Sequence, residues 1–124
     1  MLMMKVMMNL TSKFKKPDLI RYYDYLNESK EIVFNSFYEL KNNRELKLSI
    51  LLDDKNLDIL NTVEFEVNKA TSSINSISSK IDNILNSSNL LLIRESLELY
   101  AELLDDSIKW VEYVNDEIEK IINI

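Results

Sequence analysis

The sequence predicts an all-α fold, an antiparallel bundle of three long helices made of a C-terminal helical hairpin and an N-terminal helix, with coiled-coil-like packing. Three observations carry that expectation. Leu60, Val63, Val67, Ala70, Ile74, Ile77, Ile81 and Ile84 step by three and four, and so do Leu90, Ile93, Leu97, Tyr100, Leu104, Val111, Val114, Ile118 and Ile121. Side chains so spaced share one face of a helix, so each ladder is a seam that must be buried. The second ladder skips one step, at Ser107. The chain also has no glycine and one proline, Pro17, where ordinary proteins carry about 7% and 5%. Hairpin turns and bulges therefore lack their usual residue, and long helices joined by Asn, Asp and Ser are the simple solution. With 124 residues and 46% hydrophobic content, one narrow core is within reach.

Residues 1–16 read as a flexible or weakly ordered segment rich in Met and Lys, preceding a single bundle domain over residues 17–124. The apolar run Met1 to Leu10 is too short to span a bilayer, and its lysines follow it, the reverse of a signal peptide. Secretion is not expected and a cytoplasmic location is. Met4 and Met8 are alternative translation starts.

Pro17 suits a first helical turn, where its missing N–H is not needed, and Asp18 suits the positive end of the helix dipole. A helix is expected from there, with the stripe Leu19, Tyr23, Leu26, Val33, Phe37 and Leu40 interrupted by a polar gap at Lys30. Asn42-Asn43 can end or kink it. The alternation over Leu46 to Leu52 also fits a strand, but such a strand would have no partner, so helix is expected to continue to about Leu52. Asp53 and Asp54 are good caps for a second helix from Lys55 to about Asn86. The heptad frame changes across Asn86-Ser-Ser-Asn89, which marks a tight turn before a third helix, Leu90 to Asn123. The three segments have similar length, roughly 50 Å at 1.5 Å per residue. They can close a core alone or complete it by oligomerisation.

Function is far less legible. Without Cys or His there is no thiolate nucleophile, imidazole base or usual zinc ligand set, and without Gly there is no phosphate-cradling loop. No enzyme, cofactor or metal site is expected. Glu95, Glu98, Glu102, Asp105, Glu112, Asp116 and Glu119 fall opposite the seam, where a solvated face is the simpler reading than a buried metal site. Charge is uneven: the first sixteen residues carry four lysines and no acid, whereas residues 90–124 carry three bases and nine acids. A net charge of −6 argues against direct nucleic-acid binding.

Tyr22, Tyr23 and Tyr25 fan around more than half the first helix, so some aromatics must reach past the core. Beyond its seam the last helix also carries Leu103, Ile108, Trp110, Ile122 and Ile124, a face broad enough for two neighbours. The Ser-rich stretch from Thr71 to Ser79 is small enough for close helix approach. Tyr22, Tyr25, Phe34, Tyr38 and Trp110 are the candidate partner-binding residues. The expected function is a non-enzymatic interaction or assembly module, an adaptor, subunit, chaperone or inhibitor, binding a protein partner or further copies of itself. The alternative is an acidic inhibitor from a phage, virus or mobile element that mimics nucleic acid. The abundance of Asn, Ile and Lys suits a low-GC bacterial or viral coding habit. Tyr113-Val-Asn-Asp-Glu117 resembles the Tyr-x-x-x-Asp/Glu tail signal of small ESX-type secreted helical proteins, but their Trp-x-Gly turn is absent and no family is assigned.

Ile77→Asp places a charge in the seam without a partner and should cost several kcal/mol against a total of about 5–15. Thermal melting by circular dichroism checks this; unchanged melting would mean that the seam is misassigned.

Overall fold

The computed structural model describes residues 15–50, 53 and 55–122. They form α1 (Lys16–Lys41), α2 (Arg44–Ile50), α3 (Lys55–Ile84) and α4 (Leu90–Ile122), with no strand among the described residues. Cross-helix contacts set the directions. Tyr23 reaches Ser78 and Asp82 while Lys41 reaches Asn68, so α1 runs antiparallel to α3. Tyr100 bonds Asn27 and Trp110 meets Phe37, so α1 runs parallel to α4. The result is an up–down–up bundle of three long helices, in which α1 packs most extensively against α4.

The helix ends show how a chain without glycine turns. At the start of α1, Asp18 accepts a hydrogen bond from the Lys15 N–H at 3.3 Å and pairs with Arg21, and Lys16 Nζ donates to the Ser87 carbonyl at 3.0 Å. That last bond ties α1 to the connection between α3 and α4. In the connection, Ser87 Oγ accepts from the Asn89 N–H at 3.0 Å, and Asn89 Oδ1 then accepts from the Leu92 N–H at 3.1 Å as the N-cap of α4. No described residue has a positive φ, so the turn closes on Asn and Ser side chains and requires no glycine. Before α3, the Asp53 carbonyl accepts from the Asn56 N–H at 3.1 Å. The expected role of Asp54 lies outside the described residues, as do the expectations for residues 1–14.

One expected helix is corrected. Helix does not run unbroken from Pro17 to Leu52: it stops at Lys41 and restarts at Arg44, although residues 44–50 are helical, as expected, and not a strand. The cause is the Asn pair. Main chain and side chain of Asn42 both donate to the Tyr38 carbonyl, at 3.1 and 2.9 Å, closing α1. Asn43 Oδ1 accepts from the Leu46 N–H at 2.8 Å, opening α2. The three long segments are consequently unequal, at 26, 30 and 33 residues. Lys41 lies level with Asn68, so the hairpin runs on past α1 through residues 55–67 of α3, about 20 Å of helix. There α2 packs against both α3 and α4 and buries Leu46 completely.

The core joins Leu19, Tyr23, Leu26, Val33, Phe37 and Leu40 of α1 to Val63, Val67, Ile74, Ile77 and Ile81 of α3 and to the α4 seam. Leu60, Ala70 and Ile84 are only partly buried, and Leu90 is 38% exposed because it sits in the first turn of α4. Ser107, the polar interruption of the last seam, is buried and donates back to the Leu103 carbonyl at 2.8 Å. The gap in the α1 stripe is filled by buried Ser29, while Lys30 turns outward with its ammonium 5.7 Å from the centre of the Phe34 ring. No helix among the described residues is long and apolar enough to cross a membrane.

Asn43→Ala should destabilise by about 1 kcal/mol through the lost cap, and Leu46→Ala by about 2–4 kcal/mol through the cavity it leaves. Urea unfolding checks both; equal, negligible effects would show that α2 adds nothing to the bundle.

Candidate interaction surface

The five residues expected at a partner surface do not form one patch. Phe34 is half-buried, its ring 6.3 Å from that of Phe37 at 30°, and Phe37 in turn meets Trp110 edge-on at 6.3 Å and 78°. These rings are largely engaged in holding α1 to α4. Tyr22 is half-buried near Glu98, and burial, followed by the charge of Glu98, pushes its phenol up to about 12. Only Tyr25 and Tyr38 are open, at 51% and 71% exposure. Thirteen positions apart, they lie about 140° from each other around α1 and cannot grip one ligand.

Beneath them a polar layer crosses the core. The Tyr23 and Tyr100 rings lie 6.0 Å apart at 54°. The Tyr23 hydroxyl sits 2.7 Å from Asp82 Oδ1, 2.9 Å from the Ser78 carbonyl and 3.1 Å from Ser78 Oγ, and the Tyr100 hydroxyl donates to Asn27 Oδ1 at 2.9 Å. Burial raises both phenols, that of Tyr100 to about 12. They remain neutral near pH 7 and serve as fixed hydrogen-bonding struts between three helices.

The open surface lies on the side of the α3/α4 hairpin that α1 does not cover. A trough of about 540 Å³ is lined by Ser72, Ser73, Ser76, Ile77, Lys80, Leu99, Glu102, Leu103 and Asp106. Nearer the α2 end, a second depression of about 390 Å³ is lined by Asp58, Ile59, Thr62, Val63, Trp110, Tyr113, Val114, Glu117, Ile118 and Ile121. No α1 residue lines either one. Trp110 therefore meets Phe37 on one side and lines this groove on another. Leu99 and Tyr113, exposed by 55% and 62%, stand along it. Neither was among the expected site residues. Yet Leu99, Leu103, Trp110 and Tyr113 step by four, seven and three, a second apolar stripe beside the α4 seam.

The acids of α4 are likewise divided. Glu95, Glu102, Glu112, Asp116 and Glu119 are exposed as expected, but Glu98 and Asp105 are half-buried beside Arg94 at 4.0 Å and Lys109 at 3.5 Å. Flanked by α1 on one side and α3 on the other, α4 exposes the face opposite its seam. No group of three or more Asp and Glu among the described residues is placed to hold a metal ion.

The fold thus defines a three-helix up–down–up bundle, closed at one end by a short helix and grooved along its hairpin. No family model, curated protein or solved structure matches the chain.

Tyrosine is charged only when deprotonated, and burial favours the neutral form, so the folded state keeps its phenolic protons to higher pH than the unfolded chain. Stability should be undiminished below 10, the ordinary tyrosine value, and fall as pH rises from there toward 12. Melting temperatures across that range check this, and Tyr22→Phe and Tyr100→Phe should each flatten the fall. Equal slopes in all three proteins would contradict it.

Proposed function

We propose that the chain is a non-enzymatic interaction or assembly module of the cytoplasm, working through a helix face as an adaptor, subunit, chaperone or inhibitor. One observation carries the reading: after the core is complete, the α3/α4 side keeps two depressions in line along the hairpin, with Leu99 and Tyr113 more than half exposed and Trp110, Leu103, Ile59 and Ile121 half-buried in them. Apolar side chains aligned in one groove and rimmed by charges mark contact surfaces more often than scattered ones do. The seat resembles that of a further helix in a bundle. A second reading, inhibition of a nucleic-acid-binding protein by charge mimicry, draws support from exposed Glu95, Glu102, Asp106, Glu112, Asp116 and Glu119 on α4.

Light scattering and affinity capture at low and moderate salt test both. An interface in the groove should survive the salt increase and be lost in Leu99→Glu/Tyr113→Glu, whereas mimicry should weaken steeply with salt and ignore those substitutions. A chain that neither self-associates nor retains any macromolecule would refute the proposal.

A further inference from the structure

We infer that the α3/α4 groove is the seam of a homodimer in which both copies point the same way along the bundle axis, α3 of each lying over α4 of the other. This rests on the groove being the interaction surface, and it names the occupant. The two walls of the trough are complementary to each other in shape and in charge.

Shape comes first. The α4 wall presents Leu99 and Leu103, and the α3 wall presents Ser72, Ser73 and Ser76. Leucines on one wall and small residues on the other leave the trough open within one chain. A second copy turned about the bundle axis lays its leucines over these serines and receives the first copy's leucines over its own. Covering a helical serine is inexpensive where its hydroxyl turns back onto its own helix, as those of Ser29, Ser36 and Ser107 do by donating to the carbonyl four residues earlier, at 3.3, 3.0 and 2.8 Å.

Charge selects the orientation. On α3, Lys69 and Lys80 lie on the same stripe as Ser73 and Ser76; on α4, Glu95, Glu102 and Asp106 lie on the stripe of Leu99. One wall is basic and the other acidic in the half of the groove nearer the 85–89 turn. Lys80 and Leu99 line the same stretch, so the two walls are in step. A twofold axis along the helices sets Lys80 of one copy between Glu95 and Glu102 of the other, and Lys69 near Asp106. The opposite orientation, α3 on α3, sets lysine against lysine and acid against acid.

Light scattering on the full chain from low micromolar to near-millimolar concentration should find a dimer, and Leu99→Glu should abolish it. The decisive variants change only exposed side chains. Lys69→Glu/Lys80→Glu and Glu102→Lys/Asp106→Lys should each weaken dimerisation at least about tenfold, and an equimolar mixture of the two should recover it as a heterodimer. The chain has no native cysteine, so a spin label at Ser88→Cys reports orientation alone: the turns lie side by side in the inferred dimer and about 45 Å apart in the opposite one. A monomer at every concentration, a mixture that stays monomeric, or labels at the longer distance would overturn the inference. A monomer that still captures a foreign protein through Leu99 and Tyr113 would overturn the dimer and leave the interaction reading standing; a monomer that captures nothing would end both.

Discussion

The bundle depends on the polar layer made by Tyr23 and Tyr100. Ladders of Ile, Leu and Val make no directional bonds, so a slide of one turn would replace one aliphatic side chain with another of similar kind. The Tyr23 hydroxyl reaches across to Ser78 and Asp82 and that of Tyr100 to Asn27, so any slide would leave phenols in the core without partners. Two rings 6.0 Å apart thus hold three helices in one register. The open groove then has a definite pattern of serine, leucine and charge, which a bundle free to slide would not display.

That register also explains the short helix. With Tyr23 level with Ser78 and Asp82, α1 reaches only as far as Asn68 when the Asn pair ends it. Past that level the hairpin lacks a third wall, and α2 supplies one with Leu46. The break between α1 and α2 lets the chain keep helical hydrogen bonds on both sides while redirecting its path, each Asn satisfying one helix end.

The ladders made the three helices and nearly all their inward residues legible, because a repeat of three and four leaves little choice about which face is buried. Asn42-Asn43 was visible as a break, but whether it bends or restarts a helix depends on where the neighbouring helices end, a tertiary fact. The site was less legible, and for a related reason. Aromatics such as Phe34 and Trp110 look like surplus when each helix is assigned a single seam. In the bundle they meet through Phe37. Leu99 and Tyr113 carried the opposite signal: they step along a second stripe, but only the position of α1 determines which stripe of α4 stays uncovered.

A helix with two apolar stripes has a further consequence for α4. Its seam faces the core, the flank that holds Glu98 lies beside Tyr22 of α1, and the flank toward α3 carries Leu99, Leu103, Trp110 and Tyr113 into the groove. This flank is apolar although it lies open in the single chain, where polar residues would favour solubility. The Ser-rich wall of α3 opposite makes the same point from the other side, since small residues opposite leucines fail to fill the space between them within one chain. The trough stays open between these two walls because neither reaches across to the other.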